Sequence, residues 1–536
     1  MRRALALALA AAVIFAVLVL PNHPGTMKWS ALNRWPLELP VLLLTMLAVG
    51  RRWGVTYAAA ALLSVAVVIK LADYAMFSAF NRTFNPILDT FLIGAGLTLL
   101  EGSIGLTLTA LTVIGAVLGL AALFLLLERC LRIWADTPNP VRVPTAIAAL
   151  LCATWAAADA GHHLEAWRFE ASPPGTAWTT RLTVKRGTEV AQTATELARF
   201  AQEAQTDIYA DATGLLDRLE GRDVILIWVE SYGRASFDNP LYAPTHLSTL
   251  LEAQADIART GMAMKSGWLT SPTAGGQSWL AHGALASGLW TSDNGRYNAM
   301  LTSGHKWLFH FAQGAGYRTS AIMPAITVGW PESLVMGFDH VIPAADIPYQ
   351  GARFRWVTVP DQFTLATYRD LLPPGDPRPD FIQVALISSH APWTPIPDMI
   401  PWDDIGDGTE FNAMAARGPA PKELWRDRDQ VRDAYRRSVD YALQAAFGHV
   451  ARLGADAPLI IVAGDHQAAG FVAGSDNKDV AVHMIGPAHV LAMIDHWGWT
   501  DGLIPAANGP VRRMDSFRND FLAAFSANAV SEMVSQ

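Results

Sequence analysis

Apolar and polar positions follow two different rules along the 536 residues. Up to about residue 158 the apolar positions come in long blocks with few charges between them. The blocks are Ala4–Leu20, Leu37–Gly50, Val55–Phe77, Ile104–Leu127 and Val143–Ala158. A helix needs about 20 apolar residues, within a range of about 17–25, to cross the hydrocarbon of a bilayer. Five membrane spans are therefore predicted, with the second and fifth near or below that limit. The stretch Phe84–Leu100 is apolar but broken by Pro86, Gly94 and Gly96. It reads as a re-entrant or interfacial helix, or as part of the fourth span. Lys70 and Asp73 stand one helical turn apart near the outer end of the third span, placed to pair or to snorkel to the interface.

Beyond the blocks the pattern changes to one suited to water. From Thr188 to about Glu220 the spacing of Val190, Leu197, Phe200, Ala201, Ala204 and Ile208 predicts a polar amphipathic helix. Short continuous apolar runs follow: Asp223–Val229, Phe381–Ile387 and Pro458–Ala463, with shorter candidates at Arg318–Met323 and Val480–Ile485. Such runs suit strands of a parallel sheet buried on both faces. Helical stretches fall between them at Trp279–Leu289, His305–Gln313, Gln362–Leu372 and Trp425–Leu453. The alternation predicts an α/β domain with a central, mostly parallel sheet. The expected organisation is a transmembrane helical region over 1–160, a linker with the amphipathic helix over 161–220, and an exterior domain over 221–536.

Charge supports the division. Residues 1–158 carry 11 Lys and Arg against 6 Asp and Glu, and the other 378 residues carry 29 against 42. Only 16% of the chain is charged, below the roughly 25% of soluble proteins. With the N-terminus inside, the inner loops hold Arg2, Arg3, Arg51, Arg52, Arg129, Arg132 and Arg142, and the outer loops hold Lys28, Arg34 and Arg82. That asymmetry obeys the positive-inside rule, and five spans put the C-terminal domain outside the cytoplasm. Arg2-Arg3 and the first block also fit a signal peptide, but Leu20-Pro21-Asn22-His23 lacks a small-x-small cleavage site, so an uncleaved helix is expected. The net charge of -8 argues against nucleic acid as a partner. The two cysteines, Cys130 and Cys152, lie in or beside the spans, which excludes a disulfide scaffold or a cysteine-ligated zinc site outside.

Three of the predicted strands end in reactive side chains. Glu230 follows the first, Ser388-Ser389-His390 the second and Gly464-Asp465-His466 the third. Sites in open α/β sheets form at the carboxyl ends of strands. Each residue alone also fits a plain structural role: a turn cap, a loop histidine, an Asx-turn. Together, two carboxylates and an imidazole make a site for a hard-to-borderline divalent ion. Gly275-Gly276 permits a sharp turn, and Ser278 then opens a helix whose N-terminus suits a phosphate. An ordinary N-cap is the other reading of Ser278, and Thr273 is a rival nucleophile.

Val229-Glu230-Ser231-Tyr232, Gly275-Gly276-Gln277-Ser278 and Gly464-Asp465-His466 resemble the motifs of the alkaline phosphatase/sulfatase superfamily. The plan of several spans, a linker helix and an exterior domain is similar to its membrane-anchored transferase branch, which includes lipoteichoic acid synthases, phosphoglycerol transferases and phosphoethanolamine transferases. The resemblance implies a metal set of Glu230, Ser278, Asp465 and His466 around one divalent ion (Mn, Mg or Zn), with Ser278 as nucleophile. It implies a catalytic, phosphate-holding His390 and a substrate contact at Trp393 in Ser389-His390-Ala391-Pro392-Trp393, and substrate contacts at Trp330 and Glu332 in Gly329-Trp330-Pro331-Glu332. It also places an active-site histidine at His483. The transferases usually have Thr where Ser278 stands, and lipoteichoic acid synthases have Arg where Glu332 stands, which weighs against a phosphoglycerol donor. Sulfatases proper need a C/S-x-P-x-R type signature, and Ser278 is followed four residues later by His282.

The function implied is transfer of a phosphate-linked headgroup from a membrane phospholipid donor to an envelope glycan or lipid acceptor, through a covalent serine intermediate, at an inner membrane with the catalytic domain in a periplasm. The exterior domain has no cysteine, which favours the phosphoglycerol-type branch over the disulfide-rich phosphoethanolamine one. The alternatives are a phosphodiesterase, phosphatase or sulfuric-ester hydrolase of the same superfamily, and a non-catalytic membrane binding protein.

Overall fold

The computed structural model describes residues 1–26, 28, 35–80, 83–167, 169–170, 174–327, 329–355, 357–454 and 457–527. Of the outer-loop charges, Arg34 and Arg82 lie outside the described residues. The chain forms two compact units, Met1–Ala198 and Arg199–Gln536.

The first unit is helical: α1 (Arg2–Val19), α2 (Glu38–Val49), α3 (Val55–Phe80), α4 (Phe91–Ile104), α5 (Leu106–Ala135), α6 (Arg142–His163) and α7 (Trp178–Glu203). Among the described residues, four helices are long and apolar enough to cross a membrane: α1, α3, α5 and α6. The chain is thus membrane-anchored. The second predicted span is the 12-residue α2, about 18 Å long at about 1.5 Å per residue. The stretch after Phe84 forms its own helix, α4, separated from α5 by Gly105 at φ 80°.

Hydrogen bonds show which helix ends share a rim of this unit. At one rim Arg3 donates to the Asp136 carbonyl (3.2 Å), Trp134 to that of Leu7 (3.2 Å) and Asn139 to that of Leu47 (3.2 Å). At the other, the Lys70 ammonium donates to the carbonyls of Val17 and Leu18 and to the Thr179 hydroxyl (3.1, 2.8 and 3.0 Å). Thr180 N–H donates there to Glu38 (2.9 Å), and Ala177 N–H to Asp159 (2.8 Å). The starts of α1 and α3 and the ends of α2 and α5 therefore lie together, and the end of α6 and start of α7 lie on the opposite rim. Short as it is, α2 runs from the second of these rims back to the first.

Lys70 and Asp73 do not pair with each other. Lys70 caps the carbonyl end of α1, a favourable place for a cation. Asp73 takes both N–H bonds of an Arg186 nitrogen (3.1 and 2.9 Å) and one from Asn22 (2.9 Å). Both are fully buried. The amphipathic helix also differs from expectation, since α7 starts at Trp178 and ends at Glu203. The chain turns there because Phe200 and Ala204 are buried in the second unit's core, and Asp207 is held by Arg518 (2.9 and 3.0 Å). Ile208, counted as the last apolar position of that helix, is 64% exposed.

The second unit is built on one sheet of nine strands: β1 (Val224–Val229), β2 (Ala263–Thr270), β3 (Arg318–Met323), β4 (His340–Pro343), β5 (Asp380–Ala385), β6 (Leu459–Gly464), β7 (Asp479–Gly486), β8 (Thr500–Asp501) and β9 (Val511–Arg513). Their order is β4-β3-β5-β1-β6-β7-β2-β8, with β9 beside β2. The run from β4 to β6 is parallel, while β7 is antiparallel to both β6 and β2. All five predicted strands are present. β2 escaped the pattern because Lys265, Ser266 and Gly267 interrupt its apolar run.

Central strands are buried on both faces. Ile225, Ile227 and Val229 face one core with the helix Arg428–Val450, while Val224, Leu226 and Trp228 face the other with the helix Ser278–Ser287. The order β5-β1-β6 sets the three reactive loops side by side at one sheet edge. Gly464 is what lets the first and third meet, since a Cβ there would lie 1.8 Å from the Tyr232 carbonyl oxygen. Gly464→Ala should therefore destabilise the domain by about 1–3 kcal/mol, read as a lower melting temperature of the full chain in detergent, and an unchanged melt would refute the contact.

Candidate active site

Backbone bonds fix each loop at the sheet edge before any ligand is considered. Ser231, just after β1, sits at φ 59°, a left-handed conformation costing a non-glycine residue roughly 1–2 kcal/mol. Three bonds hold it and its neighbour. Ser231 N–H donates to Asp465 Oδ1 (2.8 Å), Tyr435 OH donates to the Ser231 carbonyl (2.9 Å), and the Ser389 hydroxyl donates to the Glu230 carbonyl (2.6 Å). The His390 loop is tied by Asp361, whose Oδ1 accepts N–H bonds from Ile387 and Ser388 (2.8 and 2.9 Å). Sequence reasoning missed Asp361, because its partners are some 26 residues away.

The turn before Ser278 is equally defined. Gly275 (φ 75°), Gly276 (φ 135°) and Gln277 (φ 67°) all have positive φ. Gly275 N–H donates to the Gln467 carbonyl (2.7 Å), which sets this turn against the loop after β6. The Thr273 hydroxyl donates to the Gly276 carbonyl (2.8 Å) and so closes the turn from within. Ser278 begins the ten-residue helix, and its Oγ donates to Glu230 Oε2 (2.9 Å) and lies 3.3 Å from His466 Nε2.

Glu230, Asp465 and His466 are 7%, 1% and 1% exposed, and one ligand atom from each lies within 4.8 Å of the others. His466 Nδ1 bonds the Gln467 carbonyl (3.0 Å). This assigns a proton to Nδ1 and leaves Nε2 facing Glu230 Oε1 at 3.2 Å. Asp465 Oδ1 is taken by the N–H groups of Ser231 and His466 (2.8 and 2.6 Å), so Oδ2 faces the cluster.

Two buried carboxylates need a positive partner. Burial alone lowers the basicity of His466, yet the charges of Asp465 and Glu230 outweigh it and raise its pKa to about 9. Burial and the neighbouring Glu230 charge push Asp465 up to about 7. For Glu230 burial acts upward, but the His466 charge and hydrogen bond overcome it and hold the carboxyl well below its usual range. A proton is thus retained where a divalent ion would neutralise the same two carboxylates, and the donor set fits such an ion.

Beside Ser278 opens a cavity of about 370 Å³. It is lined by Trp228, Tyr297, Trp307, Phe309, Trp330 and Phe338, together with Glu230, Ser278, His390 and Asp465. Of the predicted site residues, Glu230, Ser278, Asp465 and His466 come together, and His390 and Trp330 join the same cavity. Glu332 lies on the turn Pro331–Val335 directly after Trp330. Trp393 and His483 are not brought there. Trp393 is buried, donates to the Ser389 carbonyl (2.7 Å) and stacks on Trp425, and it borders a separate cavity of about 520 Å³. His483 is fully buried, with Nε2 3.1 Å from Tyr232 OH and Nδ1 2.7 Å from Ser266 Oγ. His282 was overlooked as a wall residue, although its spacing four after Ser278 puts both on one helix face. It stacks on Trp228 with ring centroids 4.3 Å apart.

The sulfatase family model matches residues 222–479, the segment that carries Glu230, Ser278, His390, Asp465 and His466. No curated protein matches the chain. Among solved structures, the C-terminal periplasmic domain of phosphoethanolamine transferase EptC from Campylobacter jejuni is 12% identical, covering 57% of this chain and 89% of that one at a TM-score of 0.36. Lipoteichoic acid synthase LtaP from Listeria monocytogenes is 12% identical, covering 62% and 78% at 0.35. Phosphoglycerol transferase GacH from Streptococcus pyogenes, solved with sn-glycerol-1-phosphate, is 14% identical, covering 62% and 82% at 0.34. Over residues 222–479 this chain is similar to the sulfatase family.

Proposed function

We propose that this protein transfers a phosphate-linked headgroup from a membrane phospholipid to an envelope glycan or lipid, by way of a phosphorylated Ser278. The observation that carries the reading is the Ser278 hydroxyl, set 2.9 Å from Glu230 and 3.3 Å from His466 at the head of a helix. Thr273 does not compete for the role, because its hydroxyl is bound to the Gly276 carbonyl. The anchor of spanning helices supports a donor that is itself a lipid.

The chemistry follows from the contacts. Ser278 loses its proton into the carboxylate cluster along its bond to Glu230. Its Oγ then forms a bond to the donor phosphorus, and the bond from phosphorus to the diacylglycerol oxygen breaks. His390, half-buried in the cavity lining, gives that oxygen its proton. In the second step an acceptor hydroxyl passes its proton to His390 and bonds to phosphorus, and Ser278 Oγ leaves and regains a proton. The first-turn N–H groups of the Ser278–Ser287 helix favour the phosphate charge throughout. Glu230, Asp465 and His466, with Ser278 beside them, would hold a divalent ion. Such an ion neutralises phosphoryl oxygens and makes a serine hydroxyl more acidic. Manganese, magnesium and zinc all suit this donor set.

Three measurements bear on this. Ser278→Ala should lower turnover by about a thousandfold or more, and headgroup-labelled phospholipid should leave its label on the Ser278 peptide in mass spectrometry. Thr273→Ala should still acquire label, and the reverse result for the two variants would move the nucleophile to Thr273.

Asp465→Asn keeps the shape of the loop but removes one buried charge. Metal content after dialysis, measured by elemental mass spectrometry, should fall well below one ion per chain, with activity falling alongside. Full occupancy would remove Asp465 from the metal set.

The opposite rims of Met1 and α7, with the arginines gathered on the Met1 side, favour an inner-membrane protein with its catalytic domain in the periplasm. A C-terminal alkaline phosphatase fusion should then be active and a C-terminal green fluorescent protein fusion dark. The opposite pair of results would reverse the topology.

A further inference from the structure

The aromatic cavity beside Ser278 has a composition that discriminates among headgroups. Six of its wall residues are Trp228, Tyr297, Trp307, Phe309, Trp330 and Phe338, and none of the described residues lining it is Lys or Arg. The rings form a connected set. Phe309 and Phe338 have centroids 4.2 Å apart, Trp330 and Phe338 6.2 Å, and Tyr297 and Trp307 6.5 Å.

Few polar groups stand in the walls, and among the described ones His282 Nε2 is buried without a hydrogen-bond partner. Gln383 accepts from Trp228 Nε1 (3.3 Å) and donates to the Met323 sulfur (3.6 Å). Burial keeps the His282 imidazole neutral, with a pKa near 3, so it does not repel a cation. A negative charge also acts on the wall residue Tyr297. Glu332 follows Trp330 on its turn, and after burial it is the second influence raising the Tyr297 phenol.

Such a cavity is poor for an anion and poor for groups that need several hydrogen bonds. The several hydroxyls of a glycerol unit, or the three N–H donors of a primary ammonium, would meet fewer partners there than they need, since His282 Nε2 alone offers one unpaired buried lone pair among the described lining residues. A trimethylammonium group has no N–H to satisfy, is weakly hydrated, and is attracted to aromatic faces. Resting on the function proposed above, we infer that the cavity takes a quaternary ammonium headgroup, so that the unit transferred through Ser278 is phosphocholine. In that reaction phosphorus gains Ser278 Oγ and loses the diacylglycerol oxygen, which leaves protonated, and the choline ester bond stays intact.

The full chain in detergent, supplied with a divalent metal, would be given vesicles of phosphatidylcholine, phosphatidylethanolamine or phosphatidylglycerol. Label on Ser278 should form from the choline lipid at least about tenfold faster than from the others, the size of effect expected of cation–π recognition. Trp330→Ala should lower kcat/KM for the choline lipid by about tenfold through KM, and Trp330→Phe should restore most of it. In a separate titration of the Ser278→Ala variant, phosphocholine should bind more tightly than phosphoethanolamine or glycerol phosphate. If the ethanolamine or glycerol lipid labels Ser278 as fast or faster, the headgroup inference is wrong and the serine chemistry stands. If no lipid labels Ser278, the proposed function fails, and with it the inference that rests on it.

Discussion

Two carboxylates, Glu230 and Asp465, are buried within a few ångströms of each other at the ends of adjacent parallel strands, and the rest of the active domain is arranged around that repulsion. Like charges in a low-dielectric interior repel strongly. The domain answers with His466 wedged against both, with N–H groups of Ser231 and His466 on one Asp465 oxygen, and with the Ser278 and Ser231 hydroxyls on Glu230. Each of these groups sits on a loop whose own conformation is strained or closely packed: Ser231 and Gln277 at positive φ, Gly464 against the Tyr232 carbonyl. Local strain of this kind persists where surrounding structure holds it. Here the central strands β5, β1 and β6, buried on both faces, provide that hold.

The same economy of buried charge organises the helical unit. Lys70 reaches the carbonyl end of α1, and Asp73 is held by Arg186 from α7. These contacts lock the ends of separate helices at one rim, a job that apolar packing alone does without specifying register. Buried ionic pairs are costly to break by removing one partner, about 3–5 kcal/mol, so they favour one arrangement of the helices over its neighbours.

Function and fold divide the aromatic residues between them. Trp393 and His483 both lie near the reactive loops in sequence or on the sheet, yet both are satisfied internally and serve packing. Trp330 and Phe338 face the cavity beside Ser278 instead.

The sequence by itself determined the elements whose signal is local. Long apolar blocks made the spanning helices, continuous apolar runs made β1, β3, β5, β6 and β7, and reactive side chains just after three of them marked the sheet edge, because strand ends in such sheets converge. Tertiary structure decided what depends on distant partners. It stopped α7 at Glu203, where Phe200 and Ala204 enter the core, and it turned the broken pattern Ala263–Thr270 into β2 by pairing it with β7. It separated Ser278 from Thr273, two hydroxyls alike in sequence, by giving one a carboxylate and the other a carbonyl. It also withdrew His483 from the cavity. A side chain's chemistry is written in its type, but whether that chemistry is free depends on which partners the fold brings to it, and such partners stand up to 311 residues away.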